Sequence, residues 1–288
     1  MTGANGFLGQ HLCVYLKDSG YRVVATGKGE CRLTGQGYTY HSCDITDSAQ
    51  VQLMTDTYRP DVIIHNAAMS KPDECNNDKE MCVKVNVEAT RNMLQYAPAH
   101  FVYLSTDFIF GEGGPHSEDE QPAPLNFYGE SKLRAEQLVT IMSDKACIVR
   151  PVFIYGKTFD GQRGSFLHWV KHNLEQKKSI KVVSDQLRTP TYAEDICRGI
   201  HAIIDKEATG AYHLAGKDIL SPYDMALAAA KVLNLDAMLI EKVTADTFPE
   251  PVKRAKRSGL KIDKAELELG YKPVSFEEGV RLTFEDSQ

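Results

Sequence analysis

The chain has 288 residues, 42% of them hydrophobic and 25% charged. This is the composition of a globular protein and excludes disordered, collagenous and coiled-coil classes. Lys and Arg total 33 against 39 Asp and Glu, a net charge of −6, which argues against a general binder of nucleic acid or acidic membrane. No apolar run reaches the ~18 residues of a bilayer span, and residues 1–16 lack the basic start and apolar core of a signal peptide. The seven cysteines include no C-x-x-C pair, and the histidines show no ligand spacing. The expectation is a reduced, cytoplasmic protein with no metal, no nucleic-acid partner and no membrane partner.

The first motif is a glycine loop. Thr2-Gly3-Ala4-Asn5-Gly6-Phe7-Leu8-Gly9 reads G-x-x-G-x-x-G and opens a helical segment over 9–19. Glycines let the backbone turn tightly and approach a pyrophosphate seated on a helix N-terminus. Gly3, Asn5, Gly6, Phe7 and Leu8 are therefore candidate cofactor contacts, although three nearby glycines also make ordinary turns. A strand over 22–26 follows, as a βαβ unit requires. An NAD enzyme usually places an acid after this strand, on the ribose 2′-hydroxyl. Here Lys28 comes first, with Arg32 close by and Glu30 as the competing residue. Lys28 points to a 2′-phosphate, hence NADPH, with NADH as the alternative.

Strands over 62–65, 101–105 and 147–150 alternate with helical segments over 48–58, 79–96 and 128–143. Such alternation predicts a Rossmann-type, doubly wound parallel α/β sheet. Asp44 and Ile45 follow a short strand and are placed against an adenine. Asn66, Ala67 and Ala68 end the 62–65 strand beside the cofactor. Past Arg150 come a Gly-rich loop at 157–164, helices over 165–176, 194–205 and 222–233, and strands over 180–184 and 212–215. Two short helices split by Gly270 to Pro273 close the chain. Residues 1–156 are read as the dinucleotide domain, with 180–215 adding to its sheet. Residues 157–179 and 216–288 are read as a smaller C-terminal α/β substrate lobe. Trp169, at helical spacing, is expected in a core.

Tyr128 and Lys132 lie four residues apart, on one face of a helix. An adjacent ammonium favours the tyrosine anion and should move Tyr128 toward working pH. Tyr128 is thus a candidate proton donor to a carbonyl oxygen. The 101–111 segment FVYLSTDFIFG delivers Ser105 or Thr106 to the same oxygen.

The glycine loop, the hydroxyl-ended strand and the Tyr/Lys pair, in this order, resemble the extended short-chain dehydrogenases/reductases. The stretches 65–75, 105–112, 124–136, 150–156 and 188–196 are similar to the dTDP-4-dehydrorhamnose reductase family. The resemblance covers residues 2 to about 200 well. It implies Thr106, Tyr128 and Lys132 as the catalytic set, with Tyr128 and Lys132 also touching the cofactor. It also implies Asn86 as the asparagine beside the site, grouped here with the cofactor contacts. The implied reaction is transfer of a hydride from NADPH to the 4-keto group of a nucleotide-bound 6-deoxy sugar. Met69, Ser70, Thr106, Phe108, Phe153, Arg188 and Arg254 are the substrate-side candidates. Arg188 suits a diphosphate and Arg254 a nucleotide, while a surface ion pair or a solvated basic loop is the plainer reading of each. Phe153 stands where rhamnose-pathway reductases often carry Trp, and Ala135 where Gly is common, so the sugar is open.

Related dehydratases carry Thr-Asp-Glu at this strand end, whereas this chain has Thr106-Asp107-Phe108, with no acid to drive elimination. A sugar-nucleotide 4-epimerase would retain NAD, which Lys28 disfavours. From another class comes a non-catalytic regulatory subunit, because the β subunit of methionine adenosyltransferase resembles the same reductases. A homodimer is compatible with the sequence. One oddity concerns the start. A phosphate loop normally follows a buried strand of about five residues, yet only Met1 and Thr2 precede Gly3. The expectation is a start upstream of Met1, or a gap in the sheet beside the cofactor with weak binding or poor stability.

Overall fold

The computed structural model describes residues 1–35, 37–96, 100–159, 164–249 and 251–285. Residues 160–163 of the expected Gly-rich loop lie outside the described residues. The first half alternates as predicted. It runs α1 (Phe7–Asp18), β1 (Val24–Gly27), β2 (Thr39–Ser42), α2 (Ser48–Tyr58) and β3 (Val62–His65). It continues with α3 (Pro72–Asn77), α4 (Lys79–Val83), α5 (Ala89–Gln95), β4 (His100–Leu104), α6 (Phe127–Met142) and β5 (Ala146–Arg150). The second half runs β6 (Ile154–Tyr155), α7 (Phe166–Glu175), β7 (Ile180–Val183), β8 (Thr191–Tyr192) and α8 (Ala193–Asp205). It ends with β9 (Gly210–His213), α9 (Pro222–Val232), β10 (Ile240–Val243), α10 (Asp263–Leu269) and α11 (Phe276–Phe284).

Strands β3, β4, β5 and β9 form one parallel sheet in that order, and β1 pairs in parallel with β2. Residues 1–4 lie between the two pieces. The Thr26 amide donates to the Met1 carbonyl (2.8 Å), the Thr2 amide to Ile64 (2.9 Å) and the Ala4 amide to Thr26 (2.9 Å). This stretch thus carries the ladder from β1 to β3 at the glycine loop. Side chains alternate along each strand. On β4, Val102 and Leu104 pack under α1 and α8, with Leu8, Leu12, Ile196 and Ile200. Phe101 and Tyr103 face α2, α5 and α6, with Val51, Met93 and Val139. Burial on both faces explains why the strands read as continuous apolar runs.

The lobe gathers α7, α9 and α11 on the parallel β7–β10 pair, around Leu167, Val170, Ile180, Met225, Ile240 and Val280. Ser221 and Asp224 cap α9 reciprocally, with Pro222 in the first turn. Of the 180–215 stretch, Gly210–His213 joins the large sheet, Ile180–Val183 pairs with β10 in the lobe, and Thr191–Tyr192 pairs with β6. From the expected lobe segment 216–288, α10 returns to the large sheet, where Ala265 and Leu269 join its core. Trp169 is 44% exposed rather than in a core, beside the ring of Phe166. The expected helix over 79–96 is interrupted by a π-helical turn at Lys84–Glu88.

Ile200 is fully buried between α8 and α1. Ile200→Ala should lower the unfolding free energy by about 2–5 kcal/mol. Urea unfolding checks this, and a loss below about 0.5 kcal/mol would contradict the packing.

Candidate active site

A cleft of about 650 Å³ opens where the strand order reverses around residues 1–4, at the C-terminal ends of β1, β3 and β4. Gly3 holds φ at 69°, and a Cβ there would meet the Ala67 amide nitrogen at 2.7 Å, so only glycine fits this close approach. Gly6 precedes α1 without a side-chain cap, and the first turn carries no acid. The positive end of a 12-residue helix therefore faces the cleft. Gly3, Asn5, Gly6, Phe7 and Leu8 line it, with Asp44, Ile45, Asn66, Ala67 and Ala68 beyond them.

Asn5 fastens the loop after β1. Its Nδ2 donates to the Glu30 carbonyl (2.9 Å) and the Tyr40 hydroxyl (3.0 Å), and its Oδ1 accepts from the Arg32 amide (2.9 Å). Tyr40, absent from the sequence expectations, donates to the Gly29 carbonyl at 2.9 Å and holds the same loop. No local pattern marks it. Lys28 lies on the rim, and its Nζ meets Asp44 Oδ2 at 2.8 Å. The Lys28 ammonium holds the Asp44 carboxyl down at about 2. Glu30 and Arg32 do not line the cleft.

The reacting groups come from β4 and α6. Thr106 caps the short 3₁₀ turn Asp107–Ile109, its hydroxyl accepting from the Phe108 amide (3.2 Å). Thr106 also acts on Tyr128, favouring its ionised form. Asn126 caps α6 through the Gly129 amide (3.0 Å). A Cβ on Gly129 would overlap the Phe108 carbonyl, so this glycine lets the helix seat against the turn. Lys132 donates to the Leu104 carbonyl at 2.6 Å and lies 4.2 Å from the centre of the Tyr103 ring. Burial draws the Lys132 ammonium down to about 7. Burial also raises Tyr128 well above its ordinary range, outweighing the opposing influence of Thr106. The expected lowering of Tyr128 is therefore reversed: desolvation exceeds the influence of its neighbours, and Tyr128 is a neutral phenol that can donate. Ser105 lines the cleft with a buried hydroxyl that has no hydrogen-bond partner among the described residues. An orphaned donor of this kind, beside an uncapped helix, fits a polar dinucleotide.

Asn86 is not among the residues that line the cleft. Fully buried, it accepts from the Met69 amide (2.8 Å) and donates to the Met69 carbonyl (3.1 Å) and the Ser131 hydroxyl (2.9 Å). It ties the segment after β3 to α6, and the π turn is where it does so.

Of the substrate-side candidates, Ser70 lines the cleft, while Met69 and Phe108 pack on Tyr128, Phe108 edge-on at 5.5 Å. Arg188 and Arg254 converge with Asp107 and Phe108 on a second, smaller cavity. Phe153 lines neither cavity. Its backbone is left-handed, with φ 37°, and its ring lies under the Arg188 guanidinium at 5.6 Å. Arg254 meets Asp73 at 3.3 Å, bridging the lobe to α3. Asp107 was not among the candidates. It is buried, burial raises its carboxyl, and Arg188 opposes that. Its only sequence signal was its place next to Thr106. Among the described residues no cluster of His, Cys, Asp and Glu is arranged to hold a metal ion, and no helix is long and apolar enough to cross a membrane.

The RmlD substrate-binding domain family matches residues 1–288. The chain belongs to this family. It is 31% identical to a probable low-salt glycan biosynthesis reductase of Haloferax volcanii, over 96% of this chain and 94% of that protein. It is 26% identical to methionine adenosyltransferase 2 subunit beta of Danio rerio, over 98% of this chain and 88% of that one. The crystal structure of dTDP-4-dehydrorhamnose reductase from Bacillus anthracis in complex with NADP superposes with a TM-score of 0.84. It is 29% identical, covering 98% of this chain and 96% of that one.

Within this RmlD-family fold, α6 seats on the 3₁₀ turn with no room for a Cβ at Gly129. Gly129→Ala should push the helix off the Phe108 carbonyl and lower stability by about 1–3 kcal/mol. Thermal unfolding checks this, and an unchanged midpoint would show that the turn yields freely.

Proposed function

We propose that the protein is an NADP(H)-dependent reductase of a nucleotide-bound 4-keto-6-deoxy sugar. The leading substrate is dTDP-4-dehydro-L-rhamnose, reduced to dTDP-L-rhamnose. The observation that carries the reading is the buried Tyr128–Lys132 pair on the wall of a cleft sized for a dinucleotide, with Thr106 buried at the end of the strand beside it. The reductase relatives and the NADP complex of the Bacillus anthracis protein support it.

When bound, NADPH supplies the hydride. The protein does the rest. The α1 N-terminus and the glycine loop would hold the pyrophosphate, and Lys28 would meet the 2′-phosphate once it leaves Asp44. Thr106 and Tyr128 present two hydroxyls to one carbonyl oxygen, and Tyr128, kept protonated by burial, gives that oxygen its proton. The Lys132 ammonium stabilises the tyrosinate that remains. Phe108 occupies the place where a dehydratase needs an acid, which favours simple reduction. The likeness to methionine adenosyltransferase 2 subunit beta supports a second reading, a regulatory subunit that binds the nucleotide without turning it over.

Nicotinamide absorbance should fall when the protein is mixed with NADPH and dTDP-4-dehydro-L-rhamnose. No oxidation with this or other 4-keto sugars would favour the regulatory reading. Tyr128→Phe should cut kcat by ~10²–10⁴ while fluorescence titration shows NADPH still bound. Unchanged turnover would sink the mechanism. Lys28→Ala should weaken NADPH about tenfold, the worth of a charge-assisted contact, and leave NADH unaffected. Turnover should also decline as pH rises through about 7, where Lys132 loses its proton. The active form is the protonated one, so the loss lies on the alkaline side, and a pH–rate profile checks it.

A further inference from the structure

Lys132 is buried, yet no salt bridge reaches it among the described residues, and its hydrogen bond goes to a neutral carbonyl. Titratable groups face it from every side. Tyr128 and Glu136 belong to α6, Tyr103 to β4, His65 to β3, Cys75 to α3 and Cys82 to α4. Of these Glu136 alone is a carboxylate. It lies one turn beyond Lys132, so the two stack on the same helix face. Glu136 is itself buried and fixed. Arg150, at the end of β5, grips it through Nε to Oε1 (3.0 Å) and Nη2 to Oε2 (2.7 Å). The outer edge of the guanidinium donates to the Glu118 carbonyl (3.4 Å) and approaches His213 Nε2 (3.2 Å), and its plane covers the Phe110 ring. A buried two-point clamp leaves the carboxylate no freedom to turn toward water. Its charge therefore acts on Lys132 through the protein interior, where screening is weak.

We propose that Glu136, clamped by Arg150, is a positioning residue that keeps Lys132 charged on the cleft wall. Its catalytic consequence rests on the reductase reading, but the charge state itself does not. Burial opposes the Lys132 ammonium, and among the groups that support it Glu136 has the largest effect. Arg150 offsets part of that support from farther away. The net shift should therefore fall at the low end of what an opposite charge nearby achieves, about one pH unit.

The test reads Lys132 directly in the full-length, cofactor-free protein. Brief acetylation with acetic anhydride across a pH series, followed by mass spectrometry of the Lys132 peptide, gives the midpoint at which the amine becomes reactive. Glu136→Gln removes the carboxylate and leaves the Arg150 charge unopposed, so it should lower that midpoint by at least about one unit and raise labelling at a fixed pH below it at least about tenfold. Glu136→Asp, which keeps the charge, should restore most of the wild-type midpoint. An unchanged midpoint in Glu136→Gln, or an equal shift in both variants, overturns the proposal. Glu136→Gln leaves Arg150 buried without its anion and risks misfolding. The double variant Glu136→Gln/Arg150→Met removes the pair as a unit and should shift the midpoint in the same direction, and no shift there overturns the proposal equally. The falling limb of the pH–rate profile should move by the same amount, which a merely structural role would not produce. An inactive protein with a shifted midpoint sinks the reductase reading alone. An active protein with an unmoved midpoint sinks this inference alone.

Discussion

Burying the Lys132 ammonium is the constraint around which the site is arranged. A charge taken out of water costs several kcal/mol unless partners meet it. The partners come from different parts of the chain, which ties those parts together. The Leu104 carbonyl, on the last residue of β4, accepts the Lys132 hydrogen bond. The Tyr103 ring offers its face because strand alternation turns it to the α6 side. Tyr128 and Glu136 flank Lys132 because a helix stacks residues four apart. Moving any of the three elements would expose or strand the ammonium. Gly129 and Asn86 then have one function between them, to bring α6 close enough to β4 and to the segment after β3.

The Glu136–Arg150 pair extends this arrangement toward the lobe. Arg150 ends β5 and precedes Pro151, which lines the cofactor cleft. Its remaining contacts run to Glu118 and His213, and the His213 ring approaches the Lys261 carbonyl (3.1 Å). His213 Nε2 faces a donor and so accepts, which leaves Nδ1–H to donate to Lys261. Burial and the Arg150 charge hold this histidine down at about 3, consistent with that single neutral tautomer. Nearby, Glu112 receives the Lys256 and Arg257 amides (2.9 and 3.0 Å), and Asn126 donates to the Lys253 carbonyl (3.0 Å). The basic loop at 253–257 is thus docked by its backbone on the loop before α6. These docking contacts join segments more than 100 residues apart.

That distance marks what the sequence made legible and what it hid. Elements defined by a local period were readable: the 48–58 helix and the 62–65 strand have the expected ends, and the others shift by a residue or two. The glycine loop and the Tyr/Lys pair were readable for the same reason, since each is a short-range pattern with a physical meaning. Long-range partners were not. The 79–96 helix is interrupted because Asn86 answers to Met69 and Ser131, which no periodicity reveals. The 180–183 strand joins Ile240–Val243, sixty residues on, rather than the large sheet. Lys28 and Asp44 were both named, but their mutual pairing depends on the parallel β1–β2 register. The Tyr128 shift had the wrong sign in the sequence because the neighbouring lysine is visible there and burial is not.

The same chemistry bears on whether this fold catalyses or regulates. Reductases and a methionine adenosyltransferase subunit share it, so the architecture is neutral between the two. The interior beneath the cleft is not. A lysine held without a salt bridge, a phenol and a carboxyl raised by burial and an orphaned serine hydroxyl all work against stability. A fold that only binds a nucleotide gains nothing in return for that cost. A nucleotide-binding regulator needs the glycine loop, the helix end and Lys28, all of which lie along the cofactor side. It has no physical need for Tyr128 beside Lys132 on the wall, or for a clamped carboxylate one turn below Lys132. Groups that strain the fold and converge on one point of the wall are what proton transfer requires, and this convergence tips the balance toward an enzyme.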